Sequence, residues 1–153
     1  MVVEGIMKAI DNGLSYQSIK SASPINHDVH QNKKFTGELV HTSFEGVYGD
    51  LLAFKAQYNL RINTDDSVIS SNFNPNVLGL KATNNKEIFN LPKKIHMTFP
   101  SLIALQIFNC SLMAIYNSAF EGLSNLEIID LRHNNIKLFG NSAFNDQKEL
   151  KYL

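Results

Sequence analysis

The chain has 153 residues, 44% of them hydrophobic and 18% charged, with fourteen basic and fourteen acidic side chains and so no formal net charge. That balance excludes wholesale disorder, leaves no basic footprint for nucleic acid and gives no pull toward an anionic membrane. No stretch approaches ~18 consecutive apolar residues, so no membrane span is expected.

Residues 1–36 are expected to be a helical or flexible N-terminal segment, too small to hold a core alone. Val3, Ile6, Ile10 and Leu14 fall at helical spacing, which predicts a short amphipathic helix over 2–12 that stops at Asn12-Gly13. Ser15 caps a second short helix running to Ser21, and Ser23-Pro24 through Lys34 reads as a linker. Val2, Val3, Ile6, Met7 and Ile10 are interrupted by Glu4, Gly5, Lys8 and Asp11, so the chain as written carries no export signal and reads as cytoplasmic. His27 and His30 have no partner cluster, whereas metal sites need about three or four converging ligands, so no metal or other cofactor is expected.

Residues 37–76 are expected to form a β-rich N-terminal cap. Glu38 to Phe44 alternates, Gly46 to Asp50 supplies turn residues and Leu51 to Ala56 is apolar again, which together predict a hairpin. Asn59–Ile62 and Ser67–Ser70 read as short extended pieces.

From Val77 the chain repeats itself. Leu102-x-x-Leu105-x-Ile107-x-x-Cys110-x-Leu112 is followed by Leu126-x-x-Ile129-x-Leu131-x-x-Asn134-x-Ile136, and Leu150-x-x-Leu153 opens a third copy, 24 residues apart each time. Asn117-Ser118-Ala119-Phe120 recurs unchanged as Asn141-Ser142-Ala143-Phe144, and a degenerate earlier unit begins at Val77-Leu78-Gly79-Leu80 and runs through Ile88, Leu91-Pro92 and Phe99-Pro100. A period of 20–29 residues with this spacing is the leucine-rich-repeat pattern, whose coils stack because one unit cannot bury its own apolar side. The fold class expected is α/β: a right-handed solenoid with a curved parallel sheet over residues 77–153, cut short at its C-terminal end.

Within each unit Leu105 and Ile107 point inward from a short strand while Gln106 points out to the concave face. Cys110 and Asn134 occupy the ninth position, where the chain turns out of the strand and the side chain bonds the neighbouring coil. As the one cysteine present, Cys110 cannot form an intramolecular disulfide, and a buried structural role is expected for it. Asn109-Cys110-Ser111 is formally a glycosylation sequon but lies too close to the strand to be read as one. Phe120 and Phe144 close the core from the convex side.

The stretch 37–153 resembles the leucine-rich-repeat proteins abundant in insects, on the repeats above, on Asn76–Ala82, Leu91-Pro92 and Phe99–Leu102, and on the hairpin Thr42-Ser43-Phe44, Gly49, Phe54-Lys55-Ala56. In that family two cysteines pair within the N-terminal hairpin. Thr42 and Phe54 stand in their places here, and the resemblance implies apolar burial of Phe54 instead of a cross-link. It also implies an extracellular setting, recognition of protein partners and no catalysis. Residues 5–34 also show a likeness to the helix-turn-helix pieces of pipsqueak-type DNA-binding domains, on Ile6, Ala9, Ile10, Asn12 to Tyr16 and Pro24, but lack the charge for phosphate contacts.

The function expected is a non-enzymatic interaction module binding a protein through the concave face. In this register that face shows Gly79, Lys81, Ala104, Gln106, Phe108, Ile128, Asp130, Arg132 and Tyr152, of which Phe108, Ile128, Arg132 and Tyr152 are anchor types. The alternative is a fragment of a larger extracellular or receptor-like protein with no activity of its own. Self-association through an uncapped C-terminal end is a further expectation, because Leu150 and Leu153 have no following coil in this sequence to pack against.

Overall fold

The computed structural model describes residues 34–57 and 68–153. The helices read over residues 2–21, the extended piece at 59–62, and all but Lys34 of the linker read to that residue and of the helix-turn-helix likeness over 5–34 lie outside the described residues; Lys34 stands in a short strand.

Five strands form the main sheet, in the order β2 (Gly37–Ser43), β3 (Asp50–Ala56), β5 (Gly79–Thr83), β6 (Ala104–Phe108), β8 (Ile128–Asp130). Two-stranded pairs stand beside it: β1 (Lys34–Phe35) with β4 (Val68–Ile69), and β7 (Ala114–Ile115) with β9 (Leu138–Phe139). The β2–β3 pair is an antiparallel hairpin, and β3 then joins β5 in parallel. From β5 onward each strand pairs in parallel with the strand of the next repeat, the arrangement that forces a long crossover between neighbours.

The register is the one the sequence period demands. Ala104 pairs with Ile128, and Ile128 makes a parallel bridge to Tyr152, a step of 24 residues each time. Leu102 and Leu126 therefore recur at the same height on successive coils, both fully buried, and Leu150 packs on the edge of the same cluster. Leu105, Ile107, Leu112, Ile115 and Phe120 fill the interior beside them. Phe120 and Phe144, one repeat apart, stack with ring centroids 5.3 Å apart. At the N-terminal end Phe54 lies between Phe35 and Phe99, with centroids 6.4 and 5.3 Å away.

Two expectations need correction. Among the described residues the only helix is α1 (Ile95–Thr98), so the side opposite the sheet is built from turns and the β7–β9 pair, and the α component of an α/β class is nearly absent. A 24-residue coil that must also supply two short strands and the turns between them leaves little length for a helix at about 1.5 Å per residue. Secondly, Thr42 and Phe54 do not face each other. The hairpin pairs Thr42 with Leu51 and Phe54 with Leu39, which sets the two positions three rungs apart. Phe54 is buried in the core, as expected, while Thr42 accepts a hydrogen bond from Lys81 on the opposite face of the sheet.

Candidate functional site

Alternation along each strand sends one set of side chains to the core and the other to the outward face. Parallel register then aligns the outward set in rows. Ala53, Gly79, Ala104, Ile128 and Tyr152 make the first row; Lys55, Lys81, Gln106 and Asp130 make the second. Thr83 and Phe108 begin a third, which Arg132 joins with its guanidinium 5.5 Å from the Phe108 ring centroid. Every residue that the sequence assigns to this face lies in one of these rows.

They are not equally accessible. The turn joining β2 to β3 folds over the first row, and Phe44, Ala53, Ala104 and Ile128 form a second small apolar cluster with Val47 and Leu51 packed against it. Ala104 and Ile128, expected on a partner-facing surface, are therefore buried. Gly79 is shaped to this arrangement: an added Cβ would stand 2.4 Å from Phe44 Cζ. The third row stays partly open, with Phe108 half-buried between Arg132 and the edge of His133, whose ring centroid is 5.0 Å away.

Polar groups tie the turn down on both sides of the phenyl ring. Lys81 Nζ donates to the Ser43 carbonyl at 2.6 Å and to Thr42 Oγ1 at 3.3 Å, and sits 5.2 Å from the Phe44 centroid. Burial, with Lys55 nearby, lowers the Lys81 ammonium pKa. Arg132 reaches Glu45 with one nitrogen and Asp130 with two, at 2.9 Å each. Hydrogen bonding from Arg132 holds the Asp130 carboxyl down at about 2, against partial burial, and Gln106 Nε2 adds a bond at 3.0 Å. The same contacts raise the Arg132 guanidinium still further above its ordinary value. Beside the turn a cleft of about 360 Å³ opens between Glu45 and Gly46 on one side and Ile128, Asp130, Arg132 and Tyr152 on the other.

The ninth-position residues act between coils. Asn134 Nδ2 donates to the Ile107 carbonyl of the preceding coil and to the Leu131 carbonyl, and Oδ1 accepts from Leu112 N–H at 3.1 Å. Cys110 is buried with Sγ 3.5 Å from the Phe108 carbonyl and 3.8 Å from that of Ala82, and burial pushes its thiol pKa up. Asn85 completes the ladder one coil earlier, donating to the Gln57 carbonyl at 2.7 Å and accepting from Glu87 N–H. Sequence reading missed Asn85 because the unit around it is degenerate, although its place five residues after Leu80 matches Cys110 after Leu105 and Asn134 after Ile129. It also missed the contribution of Phe44 and Glu45 to the face. The one trace they leave is Gly79, a gap in a row that otherwise carries side chains.

Stacked parallel coils with an apolar interior and an asparagine/cysteine ladder define a repeat solenoid. Residues 100–153 match the family model described as Leucine rich repeat, and the match together with the stacked strands supports a leucine-rich-repeat protein. No curated protein and no solved structure matches the chain.

Proposed function

We propose that this chain is a non-enzymatic interaction module that takes a protein partner on the outward face of its sheet, at the corner formed by Phe108, Asp130, Arg132 and Tyr152. Lys81 and Gln106 flank that corner in the second row. The observation that carries the reading is the placement of Phe108, a half-buried aromatic held by His133 and by Arg132, which itself lines the cleft beside Glu45. A large ring fixed in this way contributes apolar contact with little conformational entropy left to lose, and Tyr and Arg are the side chains that most often anchor interfaces. Leucine-rich repeats are in general protein-interaction modules, which favours a protein over a small molecule. In a longer, receptor-like protein the same rows would simply continue past this corner.

A photo-reactive phenylalanine analogue at position 108 tests the site. Cross-linking to a partner protein is expected from position 108 and not from position 145 on the opposite side. Phe108→Ala should then weaken the purified complex by about tenfold or more, the scale of an anchor residue. Equal cross-linking from both positions, or unchanged affinity, would move the site elsewhere.

A further inference from the structure

The turn over the first row is held as a ligand is held. Phe44 is only 4% exposed although it belongs to a hairpin turn, and four strands contribute to its seat: Ala53 of β3, Gly79 of β5, Ala104 of β6 and Ile128 of β8. The seat is built for a ring. Three of its residues, Ala53, Gly79 and Ala104, have no side chain beyond Cβ, and only glycine at position 79 leaves the space that the phenyl group occupies. A cation stands at either end, Lys81 beside the ring and Arg132 on the Glu45 carboxylate. The local backbone bond of the turn runs from Val47 N–H to the Phe44 carbonyl, while its hold on β5, β6 and β8 passes through side chains and the Ser43 carbonyl. Gly46 and Gly49 both have positive φ, 84° and 78°, so the segment that would swing carries conformations open to glycine at little cost.

We propose that this seat is a binding subsite for a partner segment in which an aromatic residue is followed directly by an acidic one, and that Phe44-Glu45 fills it in cis until such a segment displaces the turn. The inference rests on partner recognition by the outward face and names the chemistry recognised there. The cleft beside the turn is lined by Glu45 and Arg132 and shares Ile128 with the apolar cluster that seats Phe44, so an incoming acidic side chain finds its cation next to the ring pocket. Arg132 then exchanges one carboxylate for another with no buried charge left unpaired, because Asp130 keeps its own two bonds to the guanidinium throughout.

The test needs only this chain and a synthetic heptapeptide of residues 42–48. In the Phe44→Ala/Glu45→Ala double variant the seat is vacant, and the peptide at millimolar concentration should shift the amide resonances of Gly79, Ala104 and Arg132 saturably. The unaltered protein should bind it at least tenfold more weakly, because its seat is filled. A peptide with alanine for the phenylalanine should not bind, and adding Gly79→Ala to the double variant should abolish binding by occupying the ring space. A double variant that keeps its dispersed spectrum but ignores the peptide, or equal binding by both proteins, overturns the proposal. Amide exchange on the unaltered chain gives a second reading that no variant can spoil. The Val47 amide should exchange at least tenfold faster than those of β6, with a rate that denaturant barely changes. If it exchanges only when the sheet unfolds, the turn is a fixed part of the core and the proposal fails. Peptide binding with no effect of Phe108 on a partner complex would sink the wider reading and leave the subsite standing.

Discussion

Asn134 shows what a single side chain contributes to a stacked fold. Its amide satisfies the Ile107 carbonyl of one coil and the Leu131 carbonyl of its own, while its oxygen takes Leu112 N–H. Asn134→Ala leaves those backbone groups without their partner, and each part-buried orphan costs roughly 1–3 kcal/mol. With three such groups the expected loss is about 3 kcal/mol or more by denaturant titration, with an unchanged m-value. Asp130 belongs to the same scale. Its carboxyl titrates near 2 in the folded protein and at about 3.9 when unfolded. A depressed folded value means that its contribution is fully present above about pH 4 and is lost as the pH falls toward 2. Asp130→Asn should therefore flatten the acid limb of the stability curve between those values. An identical limb in the variant would show that the bonds from Arg132 and Gln106 do not form in solution.

The separate elements were legible in the sequence to different degrees. The strands at Ala104–Phe108 and Ile128–Asp130 follow from apolar residues two apart inside a repeated frame, and their register follows from the period alone. Both hairpin strands follow from alternation on either side of glycine-bearing turn residues. The position of that turn does not. Phe44 meets Ala104 and Ile128 across sixty or more residues, and no periodicity links a one-off loop to the coils it touches. The rows of the outward face follow from register, but their exposure does not: Phe108 and Arg132 are reachable, while Ala104 and Ile128 are sealed. Thr42 and Phe54 illustrate the same limit, since pairing within a hairpin depends on where the turn falls, and a shift of a few residues separates two positions that look opposed.

At the scale of the molecule one continuous apolar cluster runs from Phe35 to Ala143, and each coil buries its apolar side chains against the next. Leu105 sits at the centre with no exposed surface. Leu105→Asp should abolish the cooperative thermal transition, because a carboxylate in that interior has neither water nor a partner. Survival of the transition would mean that the repeat register is wrong. The outermost coil is less purely apolar. Gln147 stands 24 residues after Leu123, where an aliphatic side chain would be expected, and donates to the Phe120 carbonyl at 2.7 Å.

The antiparallel hairpin at one margin of an otherwise parallel sheet gives the assembly a direction. Parallel neighbours present evenly spaced, slanted donors and acceptors, whereas β2 runs the other way and meets β3 through the alternating close and wide bonds of an antiparallel ladder. Exposed Glu38 and His41 on β2 make that margin still less receptive to a foreign strand. The edge formed by β8 and Tyr152 keeps the parallel sense of the repeats, so a further coil would stack there in the register already set by Ala104 and Ile128.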